Sequence, residues 1–206
     1  MENKKEHWEN VFATKAETDV SWFQIYPKTS VDFLNLFKLP LNANIIDIGG
    51  GDSHFVDALL SKGYKNIYVL DISANAIERA KKRLGISKAN MVNWIVSDVT
   101  DFEPKVKFDF WHDRAAFHFL TSEDKINKYV SIAENSISQK GYLILGTFSE
   151  QGPTKCSGLE IKQYNAASMS ARFEAKFERI RCITEDHITP FNTVQNFLFC
   201  SFKRKK

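Results

Sequence analysis

The sequence has few cysteines, and their spacing excludes several kinds of site. Cys156, Cys182 and Cys200 are the three cysteines among 206 residues, and no C-x-x-C pair occurs. An odd number of cysteines at wide spacing predicts neither a disulfide framework nor a zinc site. We therefore expect three reduced thiols, as in a cytoplasmic protein, and no bound metal.

Long hydrophobic runs are also missing. No stretch approaches the ~18–20 apolar residues that a membrane-spanning helix needs. The charged opening, MENKKEHWENVF, lacks the apolar core of a secretory signal peptide. The sequence therefore predicts a soluble cytoplasmic protein that does not interact with a membrane.

The chain carries little excess charge of either sign. Its formal net charge is +3 at pH 7, and much of this comes from residues 203–206 and the opening lysines. Proteins that bind nucleic acid usually show a basic face or stripe. Here one short basic run, 81–83, lies in a helical pattern and fits a solvated helix face. We therefore expect no nucleic-acid partner.

Length and composition instead indicate one globular domain. Hydrophobic residues make up 43% and charged residues 26% of the chain, as is usual for a folded domain. Within the domain, 1–206, the patterns separate three parts. They are an N-terminal helical lid region (1–40), an alternation of strands and helices (41–148), and a substrate loop with a C-terminal hairpin (149–206).

Alternating strands and helices predict the fold class. Apolar runs predict strands at 44–48, 67–70, 93–96, 108–111, 142–148, 177–183 and 195–202. Helices of ten or more residues between strands indicate right-handed crossovers, and hence a doubly wound α/β fold. Its sheet is mainly parallel, with helices on both faces. The turn at Pro190 and Asn192 predicts that the last two strands form an antiparallel hairpin.

Several residues predict where helices begin and end. Thr29 and Asp32 are spaced as a capping box for the helix before Pro40. Ser73 is placed to cap a later helix, which should end at Gly85.

A glycine turn in the stretch IIDIGGGDSHF follows the first strand of the alternation. Ligands of open parallel sheets bind beyond the carboxyl ends of the strands, so Gly49, Gly50 and Gly51 should border the site. A dinucleotide site requires G-x-G-x-x-G, and His54 occupies the third glycine position. Asp47 would repel a pyrophosphate and suits a cationic ligand instead.

Two further carboxylates end the next two strands. Asp71 can accept both hydrogens of a ribose diol, which either cofactor class could use. Asp98 can accept a hydrogen bond from an exocyclic amine such as that of adenine.

Together these residues resemble the motifs of class I S-adenosylmethionine-dependent methyltransferases. The resemblance covers nearly the whole chain and implies a seven-stranded sheet, S-adenosyl-L-methionine as cofactor and methyl transfer as the activity. It implies that the glycine turn approaches the methionine part of the cofactor and that His112 meets the methionine amino group through its backbone. It also implies that the ribose lies at Asp71 and Ile72 and the adenine at Asp98 and Val99.

The segment FDFWHDRAAFHFL contains the candidate catalytic residues His112, Asp113 and Arg114. A histidine can take a proton near neutral pH, and Arg114 could clamp an anionic substrate. A local ion pair between Asp113 and Arg114 is the alternative. His118 is a further candidate for catalysis, or else a packed core histidine.

Two other residues could close the pocket. The ring of Trp22 could cover the sulfonium and attract its charge, or it could be a core aromatic. Cys156 could line the substrate pocket, although a structural or solvent-exposed thiol is the alternative.

Shorter similarities concern the methyl acceptor. The N-terminal segment and HDRAAFHFL resemble small bacterial methyltransferases, and D-R-A-A is also similar to the thiopurine methyltransferase branch, which methylates thiols. HDRA replaces the N-P-P-F/Y type signature of amide or aromatic amine methylation. We therefore expect a small-molecule thiol, carboxylate or hydroxyl, and a protein lysine as the second choice. A non-catalytic S-adenosylmethionine-binding protein and a nicotinamide-dependent reductase remain alternatives.

Overall fold

The computed structural model describes residues 4–206, so residues 1–3 of the predicted lid region lie outside the described part. One sheet contains seven strands: β1 (Asn44–Ile48), β2 (Asn66–Asp71), β3 (Val92–Val96), β4 (Phe108–Arg114), β5 (Ile137–Phe148), β6 (Phe177–Ile188) and β7 (Val194–Arg204). Their order is β3-β2-β1-β4-β5-β7-β6. The first five strands pair in parallel, and β7 runs antiparallel to both β5 and β6. The predicted sheet and C-terminal hairpin are confirmed.

Helices cover both faces of this sheet. They are α1 (Lys4–Thr14), α2 (Lys28–Leu36), α3 (Phe55–Ser61), α4 (Ala74–Ala89), α5 (Glu123–Ser136) and α6 (Ala166–Phe173). On one face, α5 and α6 pack through Tyr129 and Phe173 against a core that includes Trp111. On the other face, α2 and α3 pack through Leu34 and Phe55. Alternate residues of the central strands therefore face two different environments.

Three sequence signals for helix ends can be compared with the structure, which agrees with two of them and contradicts one. The Ser73 hydroxyl accepts the Ala76 N–H at the start of α4. The backbone of Gly85 leaves the helical conformation with φ of +74°, although helical residues resume beyond this kink and continue to Ala89. The capping box of Thr29 and Asp32 is wrong. Both residues lie inside α2, where Asp32 pairs with Lys28 and the Thr29 hydroxyl bonds Glu185.

Strand β4 is longer than its apolar run predicts. It continues through His112 and Asp113 to Arg114, and His112 and Asp113 pair with β1. The polar residues stay in the strand because neighbouring strands supply hydrogen bonds to their backbone. The predicted candidate catalytic residues thus lie on a strand rather than on the loop after it.

The prediction of three reduced cysteines is wrong. Cys182 of β6 and Cys200 of β7 face each other across the hairpin and form a disulfide, with their Cα atoms 4.1 Å apart. The register of an antiparallel pair brings such residues together, and spacing along the sequence does not reveal it. Cys156 is a free thiol.

The loop after β5 contains a short two-stranded ribbon, Lys155–Cys156 with Leu159–Glu160. It leads from the carboxyl end of β5 to α6. Within residues 4–206, no helix combines the length and the apolar character needed to cross a membrane.

Candidate active site

Two pockets open at the carboxyl ends of the parallel strands, where ligands of such sheets bind. The larger pocket lies beside β2 and β3 and is lined by their terminal residues. The second, which we call the glycine-turn pocket, surrounds the turn between β1 and α3. The two pockets adjoin, because both are lined by Phe12, Trp22, Gly49 and Arg114.

All the residues predicted to contact the cofactor line these two pockets. The larger pocket is lined by Asp71, Ile72, Asp98 and Val99, the glycine-turn pocket by Asp47, Gly50, Gly51 and His112, and both by Gly49 and Trp22. The fold thus brings together residues from four strand ends and the N-terminal region. Their contact with a cofactor stays a prediction.

The glycine turn has no room for side chains. Gly49 and Gly51 have φ of +63° and +39°, in the left-handed region that favours glycine. A Cβ on Gly50 would lie 2.6 Å from Asp47 Oδ2, and a Cβ on Gly51 would lie 2.8 Å from Asp71 Oδ2. The turn therefore lets the backbone approach two carboxylates closely.

Asp47 begins a buried chain of hydrogen bonds. His112 Nδ1 donates to Asp47 Oδ1 at 2.6 Å, because a carboxylate only accepts, and His112 Nε2 lies 2.8 Å from the Ser30 hydroxyl. Asp47 is 2% exposed, and its Oδ2 has no hydrogen-bond partner. A buried anionic oxygen without a donor favours a cationic ligand at this point.

Asp71 at the end of β2 is also buried, and its Oδ1 accepts the Ser73 N–H at 2.8 Å. Burial raises the pKa of this carboxyl to about 7, and the nearby carboxylates, Asp52 first, add to the effect. Hydroxyl groups that donate to Asp71 would favour its charged form. The geometry suits the ribose assignment.

Asp98 starts a tight turn, Val99–Asp101, at the end of β3. Its Oδ1 accepts both the N–H and the hydroxyl of Thr100, each at 2.8 Å. Phe119 and Leu120, from the segment after β4, also line the larger pocket. A flat aromatic ligand would fit such a mixture of one carboxylate and apolar side chains.

Aromatic side chains of the N-terminal region line the larger pocket. The Trp22 ring lies edge-to-face with Trp8 and Phe12, at centroid distances of 5.6 Å and 6.3 Å. All three residues line the larger pocket. Trp22 is therefore both a packed aromatic and a pocket residue, so the two alternatives predicted for it do not exclude each other.

Arg114 ends β4 between the two pockets. Its Nη1 donates to the Trp22 carbonyl oxygen at 3.1 Å, and its Cζ lies 4.6 Å above the Phe197 ring. Nε and Nη2 are buried without hydrogen-bond partners. Burial lowers the pKa of the guanidinium to about 10, so it stays charged at neutral pH.

Asp113 faces away from both pockets, and its carboxylate is fully bonded. Oδ1 accepts the N–H groups of Ala116 and Phe117, and Oδ2 accepts the Tyr129 hydroxyl at 2.7 Å. Burial raises its pKa to about 6. The predicted ion pair with Arg114 does not form, because adjacent residues of a strand point to opposite faces.

The remaining candidates, His118 and Cys156, differ in position. His118 lines neither pocket, and burial lowers its pKa to about 3, so it is a neutral core residue. Cys156 does line the larger pocket, but burial raises its pKa to about 12, which keeps the thiol protonated. Among residues 4–206, no cluster of His, Cys, Asp or Glu could hold a metal ion.

A contact that no sequence motif predicts docks α1 beside the site. The Glu9 carboxylate accepts the Ser73 hydroxyl and the N–H groups of Ala74 and Asn75, and so caps α4 from a different helix. This contact lies directly after Asp71 and Ile72 in the chain. A glutamate in a short N-terminal helix gives no sequence signal for such a distant cap.

Comparison with known sequences places the chain among methyl-transferring enzymes. The mouse protein "EEF1A lysine methyltransferase 2" is 24% identical over 161 residues, covering 68% of this chain and 64% of that protein. The "Malonyl-[acyl-carrier protein] O-methyltransferase 2" of Ilyobacter polytropus is 30% identical over 108 residues, covering 52% and 40%. The chain thus matches less than two thirds of the length of either relative.

A solved structure shows the same fold. It is the N-methyltransferase NodS of Bradyrhizobium japonicum in complex with S-adenosyl-l-homocysteine, with a TM-score of 0.73 at 15% identity and full coverage of both chains. The family model described as "Methyltransferase domain" matches residues 41–195. This match covers more than half of the chain, from before β1 into β7, and the protein therefore belongs to the methyltransferase domain family.

Proposed function

We propose that the protein transfers a methyl group from S-adenosyl-L-methionine to a small-molecule nucleophile. The observation that carries the proposal is the buried, unpaired Oδ2 of Asp47 beside the glycine turn. This oxygen would repel a pyrophosphate and would attract the ammonium group of the cofactor's methionine part. Membership of the methyltransferase domain family supports the same reading.

Other strand ends supply the remaining cofactor contacts. We assign the ribose hydroxyls to Asp71, with Ile72 beside them. We assign the adenine to Asp98 and Val99, where the larger pocket is partly apolar. The cofactor thus spans the glycine turn, with its adenosine in the larger pocket and its methionine part in the glycine-turn pocket.

Catalysis in this proposal depends mainly on positioning. The cofactor supplies a methyl group on a sulfonium, so the protein must align the nucleophile and exclude water. Trp22 lines both pockets and can cover the sulfonium. We assign His112 to the positioning of Asp47, because both of its ring nitrogens are engaged, and Asp113 to the fold.

A small-molecule acceptor fits the side of the larger pocket next to Arg114, which the adenosine leaves open in this proposal. Trp8, Trp22 and Cys156 line the pocket, and its cationic side chains are those of Arg114 and the half-buried Lys4. A protein lysine is the second candidate, because the mouse lysine methyltransferase matches 68% of the chain. A thiol acceptor, suggested by the similarity to the thiopurine branch, stays a prediction.

Calorimetric titration with S-adenosylhomocysteine and with NADH tests the cofactor class. We expect S-adenosylhomocysteine to bind and NADH not to bind. Asp71→Ala should weaken binding of S-adenosylhomocysteine by ~1.5–3 kcal/mol, the usual size for hydrogen bonds to a charged group. Asp101→Ala removes an exposed carboxylate from the neighbouring turn and serves as the control. Binding of NADH alone would overturn the proposal.

Transfer of labelled methyl groups then tests the acceptor class. Small-molecule and protein fractions of a cell extract are incubated separately with labelled cofactor. Label in small molecules supports the first candidate, and label in protein supports the second. Cofactor binding without transfer to either fraction would favour a non-catalytic role.

A further inference from the structure

The guanidinium of Arg114 lacks an anionic partner. Two of its nitrogens, Nε and Nη2, are buried without an acceptor, and Nη1 bonds a carbonyl oxygen of Trp22. Within residues 4–206, no ion pair joins Arg114 to a carboxylate. The carboxylates that act on its charge through space are Glu185 and Asp47. Glu185 accepts a hydrogen bond from the Thr29 hydroxyl, and Asp47 Oδ1 accepts one from His112, while Asp47 Oδ2 makes no ion pair with Arg114.

A buried charge without a partner destabilises a fold unless something else recovers the cost. The protein holds this charge in a fixed orientation, between the Phe197 ring and the Trp22 carbonyl group. A guanidinium presents its N–H groups as a planar fork that matches a carboxylate. The unpaired N–H groups of Arg114 are therefore positioned to bind a planar anion.

The position of Arg114 indicates whether the anion belongs to the cofactor or to the methyl acceptor. Arg114 lies at the carboxyl end of β4, which flanks β1 on the side away from β2 and β3, where Asp71 and Asp98 lie. Its neighbours, Phe197 of β7 and Cys156 of the loop after β5, belong to the C-terminal part of the chain. This side of the larger pocket is left for the acceptor once the cofactor occupies the strand ends of β1 to β3.

We propose that Arg114 binds a carboxylate of the methyl acceptor, so that the acceptor is a small carboxylic acid. This inference rests on the proposed function. The carboxylate anchors the acceptor. The acceptor's nucleophile attacks the methyl carbon, the carbon–sulfur bond breaks with its electron pair staying on sulfur, and a nucleophile that carries a proton releases it to solvent. Arg114 is thus a specificity-determining residue of the larger pocket.

Calorimetry on the complex with S-adenosylhomocysteine tests the proposal with simple probes. Benzoate and malonate are titrated into the wild-type complex, and benzamide serves as the neutral control. We expect the carboxylates to bind and Arg114→Met to weaken them at least about tenfold, since the charge-assisted pair is lost. Arg114→Lys should bind them with intermediate affinity because it keeps the charge without the fork.

Folding and cofactor binding are checked on the same variants. Arg114→Met removes an unpaired buried charge, so its melting temperature without ligand should equal or exceed that of the wild type. Its affinity for S-adenosylhomocysteine should stay within about twofold of the wild type. If wild-type protein fails to bind S-adenosylhomocysteine, the proposed function fails, independently of the carboxylate result.

The methionine part of the cofactor also carries a carboxylate. A comparison of two cofactor analogues shows whether Arg114 binds that carboxylate instead of the acceptor's. If Arg114 held the methionine carboxylate, Arg114→Met would lose affinity for S-adenosylhomocysteine but would still bind 5′-methylthioadenosine, which lacks the amino acid. That result would overturn the assignment to the acceptor. Equal binding of benzoate to wild type and Arg114→Met, or no carboxylate binding at millimolar concentration, would overturn it as well.

Discussion

Asp47 and Asp113 are buried aspartates on neighbouring strands that face opposite sides of the sheet. Asp113 faces α5, and both of its oxygens accept hydrogen bonds. Asp47 faces α2, where one oxygen accepts a bond from His112 and the other has no partner. Both are close to fully buried, at 0% and 2% exposure, so burial alone does not distinguish a structural carboxylate from a functional one.

The two aspartates differ in whether every carboxylate oxygen has a hydrogen-bond partner. A buried carboxylate whose acceptors are all used contributes to the fold, and its loss leaves buried donors unpaired. A buried carboxylate with a free oxygen costs stability and needs a ligand to recover that cost. By the same criterion Arg114 belongs with Asp47, since two of its nitrogens are unpaired.

The largest effect is expected at Asp113. Asp113→Ala leaves two backbone N–H groups and the Tyr129 hydroxyl without an acceptor, and should lower the free energy of unfolding by about 3–5 kcal/mol. Urea denaturation measures this, and Asp113→Asn, which keeps an acceptor oxygen, should lose less. A loss below about 1 kcal/mol would contradict a structural role.

Asp47 should show the opposite pattern. Asp47→Asn should weaken binding of S-adenosylhomocysteine by ~1.5–3 kcal/mol, because it removes the charge that pairs with the ammonium group. The free energy of unfolding should change by less than about 1 kcal/mol. Titration calorimetry and urea denaturation give the two values, with Asp101→Asn as an exposed control. Unchanged affinity with a large loss of stability would make Asp47 a structural residue like Asp113.

The raised pKa of Asp71 predicts a pH dependence of stability. Its pKa is about 7 in the native protein and near 4 in the unfolded chain, so the native state binds more protons between these values. The free energy of unfolding should therefore fall as pH rises from about 4 to 7. Asp71→Asn should reduce this decline by about 1–3 kcal/mol between pH 5 and 8.

Denaturation of wild type and Asp71→Asn at each pH checks this prediction. Comparing the two proteins cancels the contribution of His118, which both contain. The pKa of His118 is lowered to about 3, so below about pH 6.5 this residue makes the free energy of unfolding rise with pH. Parallel profiles for the two proteins would show that Asp71 is charged throughout.

The smallest effect is expected at Ser30, which ends the hydrogen-bond network that runs from Asp47 through His112. Ser30→Ala removes one neutral hydrogen bond to His112 and should cost about 1 kcal/mol of stability. Affinity for S-adenosylhomocysteine should fall about two- to threefold, since Asp47 is held less firmly. Ser61→Ala, at an exposed position of α3, is the matched control. A tenfold loss of affinity would indicate that Ser30 contacts the ligand itself.

The sequence predicted those features that depend on local periodicity and on position along a strand. Asp47, Asp71 and Asp98 lie at or just beyond the carboxyl ends of successive parallel strands, so the fold class also predicts the edge at which they meet. Ser73 and Gly85 act within one turn of their own helix, and local signals of this kind are readable.

Features set by register between distant segments could not be predicted. The Cys182–Cys200 disulfide depends on which residues of the hairpin face each other. The different roles of His112 and Asp113 depend on which face of β4 each occupies, and the strand was predicted to end before them. Because His112, Asp113 and Arg114 are adjacent in the sequence, they were predicted to act together in catalysis. In the structure, His112 and Asp113 lie on opposite faces of the sheet.

The cap that Glu9 provides for α4 links the stability of two helices. The N–H groups of Ala74 and Asn75 bond to Glu9, a residue of α1, and not to their own helix. Amide hydrogen exchange at these two positions therefore requires the Glu9 contact between α1 and α4 to break. Their exchange rates measure how often the contact between these two helices breaks, without any ligand or substrate being known.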